Sequence, residues 1–122
     1  MKPALAMPLN DPQGLMFPHL RAITPTLKSC FAQAFISVNA TTQAAQSEYM
    51  AWLATDDFFK VLYHETDRVV GEDFLALYKK AAASCQAEQV IHLCFIDRVA
   101  FALQTEHREA FLADIQTLSW KA

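Results

Sequence analysis

Short apolar runs, each closed by a polar cluster, alternate along the chain with longer stretches whose apolar positions recur at helical spacing. Pro3 to Leu9 is such a run, bounded by prolines, and Asn10-Asp11-Pro12-Gln13-Gly14 after it is a turn signal; together they predict a strand and a loop. From Leu15 to Ala34, Leu20, Ile23, Leu27 and Phe31 fall on one side of a helix. Pro18 suits a first helical turn. Pro25 lacks a backbone donor and restricts Thr24, so two short helices or one kinked helix are expected. Phe35-Ile36-Ser37-Val38 predicts a second strand, and Asn39-Ala40-Thr41-Thr42 can end it and cap the helix expected over 43–54, with Ala45, Tyr49, Trp52 and Leu53 inward. The segment from Asp56 to His64 supports two readings: Phe59, Val61 and Tyr63 alternate as in a strand, whereas Asp56 could cap a short helix. The strand over 59–63 is favoured. A helix from Gly71 to Ser84 comes next, with Glu72 and Asp73 as first-turn acids and Phe74, Leu77, Tyr78 and Ala81 facing in.

The stretch Gln89-Val90-Ile91-His92-Leu93-Cys94-Phe95-Ile96-Asp97-Arg98 is nearly all apolar until it ends in an acid and a base. A strand covered by helices on both faces has this composition, because neither face meets water. Val99 to Leu103 extends that strand or crosses it, and a last amphipathic helix runs from Glu106 to Leu118 with Phe111, Leu112 and Ile115 inward. Strands alternating with helices predict an α/β fold, half of a Rossmann-like parallel sheet in the order 3-2-1-4 with helices on both faces. Ile36, Val61, Leu93 and Phe95 are its expected buried strand positions.

At 122 residues the chain is one domain at most, near the lower end for a doubly wound enzyme, which leaves room for it to be a fragment. With 53% hydrophobic residues and two glycines it is not a disordered segment. A net charge of -3, with Lys79-Lys80 as the one basic pair, gives no electrostatic footprint for nucleic acid. Three cysteines, Cys30, Cys85 and Cys94, make an odd set in apolar or helical surroundings; they are expected to be buried, reduced thiols, which points to the cytoplasm. No apolar stretch reaches membrane-spanning length.

A parallel sheet in this order brings four polar strand ends to one edge: Asn10-Asp11, Asn39 with Thr41, His64-Glu65, and Asp97-Arg98. Separated acids around a crevice suit a divalent cation, or the ribose and diphosphate of a nucleotide. The same residue types also form turns and caps, so Asp97 is either a ligand group or the cap of the next turn. His92 and Cys94 share one strand face, yet no Cys-x-x-Cys or His-x-x-x-His spacing completes a zinc site. Gly14 and Gly71 are too few for a Walker or dinucleotide phosphate loop, and no Gly-x-Ser-x-Gly elbow occurs.

Taken as a series, "ALAMPLNDPQG", "AFISVNATT", "VVGEDFLALYKKAAASC" and "VIHLCFIDR" resemble the first half of an inverting, nucleotide-sugar-dependent glycosyltransferase of the GT-A fold, family 2-like. The chain is similar also to poorly characterised bacterial proteins with this N-terminal layout. The resemblance implies that Pro8, Asn10 and Asp11 line the nucleotide base, that Asn39 and Thr41 lie beside them, and that Arg98 adjoins the diphosphate. It implies a divalent metal, Mn or Mg, at Asp97, which matches the second acid of the family's Asp-x-Asp motif; Phe95 stands where that motif has its first acid. In the family the acceptor site and catalytic base come after the acid motif. A nucleotide-sugar binder that needs a further C-terminal segment or a partner chain for catalysis is therefore expected. The alternative is a non-catalytic α/β interaction module docking through the surface around Trp52, Phe58 and Phe59.

Overall fold

A computed structural model describes residues 1–67 and 69–121, without the side chains of 118–121. In chain order the elements are β1 (Ala4–Leu9), α1 (Phe17–Cys30), β2 (Gln33–Val38), α2 (Ala40–Ala45), α3 (Ser47–Ala54), β3 (Phe59–Tyr63), α4 (Val70–Ser84), β4 (Ile91–Leu93), α5 (Ile96–Leu103) and α6 (Arg108–Lys121). The four strands form one parallel sheet in the order β3-β2-β1-β4, the expected half of a Rossmann-like sheet. β1 lies inside, with its Leu5 opposite Ala34 of β2 and His92 of β4.

The two faces of β1 are built differently, as alternation along a strand allows. Leu5, Met7 and Leu9 point into the larger core with Leu20, Ile23 and Leu27 of α1, Tyr49 and Leu53 of α3, Val99 and Leu103 of α5, and Ile115 of α6. Ala4 and Ala6 point the other way, onto Leu77 and Ala81 of α4, with Phe35 of β2 beside them. Small residues on that face let a single helix lie close against the strand. Each fully buried leucine contributes about 1.5–3 kcal/mol, and such packing holds helices of this length, which would be marginal alone in water.

α1 is one continuous helix, which excludes the pair of short helices, one of the two forms expected. Pro18 falls at its first turn, where the missing donor costs nothing. Pro25 lies inside but is exposed, so the carbonyl it leaves unpaired is on the solvent side; the Thr24 hydroxyl meanwhile donates to the Leu20 carbonyl at 2.6 Å. The single helix expected over 43–54 is two, α2 and α3, meeting at Gln46, whose φ and ψ of −127° and 65° are not helical.

The largest correction concerns the apolar run at the fourth strand. Ile91, His92 and Leu93 form β4 against β1, with one further backbone hydrogen bond each at Val90 and Cys94, and α5 begins at Ile96. Ile96, Val99, Ala100 and Leu103 recur at i, i+3, i+4 and i+7, all buried, so the segment beyond Arg98 is a helix and neither extends nor crosses the strand. Leu93 is 46% exposed and Phe95 39% exposed, since β4 is an edge strand with one helix, α4, on that side; neither is buried as expected. Val61 is half-buried and Tyr78 is exposed, although both were expected inside. Phe59 is buried and packs between Trp52 and Phe58, both half-buried at the margin of the core. The three cysteines are free but only half-buried; burial pushes the Cys94 thiol pKa up.

His92 sits on the large-core face of β4 with its ring edge-on to Phe31, and its Nε2 is buried without a hydrogen-bond partner among the described residues. Burial lowers its pKa below the usual 6.5. The folded protein therefore holds that proton more weakly than the unfolded chain, so the stability is complete above pH 6.5 and is lost as the pH falls toward the folded-state value. In denaturant titrations, wild type should lose more unfolding free energy than His92→Leu between about pH 7.5 and about pH 5.5. Equal losses in the two proteins would contradict the assignment.

Candidate functional site

The loop leaving β1 is held by a single carboxylate. Asp11 is 6% exposed; its Oδ1 accepts from the Leu15 amide at 2.9 Å and its Oδ2 from the Met16 amide at 2.8 Å. These are amides at the start of α1, where no intrahelical acceptor exists, so the acid satisfies donors that would otherwise be orphaned. Gly14 closes the turn at φ +69°, a conformation that favours glycine, and a Cβ there would meet the Gln46 Oε1 at 2.8 Å. Tyr49 lies in the core near this loop, stacked on Phe17 at 4.3 Å; burial, and then the Asp11 charge, push its phenol pKa well above the usual value. Asp11 is therefore first a structural anchor.

β1 and β2 are tied together at their carboxyl ends. The Asn39 Nδ2 donates to the Asn10 Oδ1 at 3.0 Å, the Thr42 amide donates to the Asn39 Oδ1 at 3.3 Å, and the Asp11 amide donates to the Thr42 Oγ1 at 2.8 Å. Asn39 is thus the N-cap of α2 as well as a strand-end residue. Thr41 points elsewhere: its amide and hydroxyl donate to Asp67 at 3.1 and 2.5 Å, which holds the Asp67 carboxyl below its usual pKa.

A crevice of about 460 Å³ opens at this edge, between the ends of β1 and β4 where the strand order reverses. Pro8, Asn10, Asp11 and Asn39 line one wall, Val70 and Asp73 of α4 another, and Phe95, Ile96 and Asp97 a third. Of the expected site residues, Pro8, Asn10, Asp11, Asn39 and Asp97 meet here; Thr41 and Arg98 are not among the lining residues. α4 and α5 both begin here, and neither N-cap, Val69 or Phe95, makes a side-chain cap hydrogen bond. No side chain caps their first amides, although those of Glu72 and Asp73 already donate to the Val69 carbonyl. Asp97 is exposed in the first turn of α5 and does not cap the helix, whose N-cap position is Phe95.

Asp73 was missed by sequence reasoning. A first-turn acid reads as a charge favourable to the helix dipole. Yet Asp73 is 8% exposed, lines the crevice, and stands 3.3 Å from the Nε2 of buried His64, the residue after β3. No sequence signal marks that burial, which results from α4 lying across the strand ends.

A divalent cation wants several oxygen ligands at once. Both Asp11 oxygens are engaged by loop amides, position 95 is phenylalanine, and the described residues contain no group of three or more His, Cys, Asp or Glu placed to hold a metal. The residues present do not fit a metal held by protein alone. A larger cavity, about 730 Å³, lies at the opposite edge and is lined by Lys2, Cys30, Glu88 and Leu112 among others. In open α/β sheets ligands gather at the carboxyl ends of strands, which favours the smaller crevice. No helix of the described residues is long and apolar enough to cross a membrane.

No model of a known protein family matches the chain, nor does any curated protein or solved structure.

Two aspartates at this edge should respond differently to removal. Asp11→Ala leaves two amides near the start of α1 without an acceptor and should lower unfolding free energy by about 1.5–3 kcal/mol. Asp97→Ala, at an exposed position, should stay within about 0.5 kcal/mol of wild type. Chemical denaturation of both variants checks this, and equal effects would show that the loop does not depend on Asp11.

Proposed function

We propose that this chain is a glycosyltransferase-like domain that binds a nucleotide-sugar in the crevice between the ends of β1 and β4. The observation that carries the reading is the coincidence, at the point where strand order reverses, of a polar-walled crevice with two helix starts lacking side-chain caps. Pro8, Asn10 and Asn39 offer an apolar ring face and amide groups suited to a base and ribose. The starts of α4 and α5 offer backbone donors suited to phosphate oxygens. Asp97, exposed beside them, accepts from hydroxyl donors. Arg98, one residue on and exposed, is the next charge in sequence but does not line the crevice.

Sugar transfer by the chain alone is not part of this reading. Inversion requires a base placed against the acceptor and a site closed to water. Beyond Asp97, the acids Glu106, Glu109 and Asp114 are all exposed, and none lines the crevice. One observation favours a second reading, a non-catalytic interaction module: Leu93, Phe95, Val70 and Tyr78 leave apolar surface exposed beside the β4 edge.

Thermal unfolding with uridine and guanosine diphosphate sugars, with and without manganese, separates the two. A ligand that binds only the folded state raises the midpoint; at a concentration about a hundred times its Kd the gain is about 2.7 kcal/mol. A nucleotide-dependent rise, little changed by manganese and reduced in Asn39→Ala, is expected. No rise with any nucleotide would sink the proposal and leave the interaction module. Sugar turnover abolished by Asp97→Ala would overturn the statement about catalysis.

A further inference from the structure

Two buried polar side chains beside the crevice, His64 and Asp73, have no part in nucleotide binding as described above. His64 is 5% exposed and Asp73 8% exposed. The His64 Nε2 and the Asp73 Oδ1 lie 3.3 Å apart, both sealed from solvent, and the contact is off-line for a good hydrogen bond. Neither atom has another hydrogen-bond partner among the described residues. Buried polar atoms in native proteins are nearly always satisfied, so a pair left loose in this way calls for a use. Asp73 supplies one, because its side chain is also a wall of the crevice. The imidazole stands against Oδ1, whereas Oδ2 is not among the sealed atoms of a residue that lines the crevice.

We propose that Asp73 reads hydroxyl groups of the ligand, accepting hydrogen bonds from a vicinal diol, and that His64 is the positioning residue that holds its carboxylate. This rests on the nucleotide-sugar reading above and deepens it by naming the group that is read. A carboxylate oxygen accepts, and Oδ2, the oxygen not sealed against His64, has lone pairs for both donors of a diol. A phosphate oxygen has no proton to offer it, so Asp73 does not hold the diphosphate. The His64 N–H directed at Oδ1 fixes the plane of the carboxylate and leaves lone pairs toward the crevice. A contact that is long and poorly aligned without ligand, and tightens when ligand arrives, is the usual behaviour of such groups.

Vicinal diols occur both in the ribose and in the sugar of a nucleotide-sugar, and the test separates them. Isothermal titration of wild type, Asp73→Asn, His64→Leu and His64→Gln is made with uridine diphosphate, its 2′-deoxy form and uridine diphosphate glucose, and with the guanosine counterparts. Wild type should prefer the ribose form over the deoxy form about tenfold or more if the ribose is read, or the nucleotide-sugar over the bare diphosphate by as much if the sugar is read. Asp73→Asn and His64→Leu should lose that preference. His64→Gln keeps an N–H donor and should retain it. The readout is a ratio of affinities within each protein, so a general loss of stability does not mimic the result. A preference unchanged in Asp73→Asn or in His64→Leu overturns the proposal, as does wild-type binding without any preference. Absence of all nucleotide binding in wild type overturns both this and the nucleotide reading, a pattern distinct from binding that ignores the two substitutions.

Discussion

Burial of β1 on both faces is the constraint that shapes the remainder of the fold. A strand bonded on both sides, with leucines and methionine toward one helical layer and alanines toward the other, sits inside the sheet and needs helices on both faces. β2 and β4 run parallel to it, which brings their carboxyl ends to one edge. The chain leaves β1 toward β2 and later returns past it to β4, so the gap between the ends of β1 and β4 is left uncrossed by either connection. The crevice is the geometric result.

The polar residues at that edge divide by what satisfies them. Asp11 is consumed by the start of α1, and Thr41 by Asp67. Asn39 serves the strand ends and the start of α2 together. Open to a ligand beside them is the wall made by α4 and α5, with Asp73 and Asp97 in their first turns and no side-chain cap at either helix start. A ligand with donors at one end and oxyanions at the other suits such a wall.

The strand order was legible because each strand carries a short apolar run closed by turn or cap residues, and alternation with helices leaves few topologies. The length of β4 was not legible. Gln89 to Ile96 has the composition of a strand buried twice, but the open edge leaves Leu93 and Phe95 in water, and an edge cannot be read from one strand's composition. The helical period of Ile96, Val99, Ala100 and Leu103 was present in the sequence and was masked by the apolar run before it. Asn10, Asp11, Asn39 and Asp97 could be placed at one edge because strand ends in a parallel sheet must share it. That Asp11 would be spent on its own loop, and that His64 would stand behind Asp73, depends on side-chain geometry between segments distant in sequence.

Whether the β1/β4 edge is the ligand site is tested most directly by mapping backbone amide shifts with nuclear magnetic resonance during titration with uridine and guanosine diphosphate sugars. Shifts should cluster at Asn10, Asn39, Asp73, Ile96 and Asp97, which line the crevice. Shifts gathered instead around Lys2, Cys30, Glu88 and Leu112, at the opposite edge, or no saturable shifts at all, would contradict that placement.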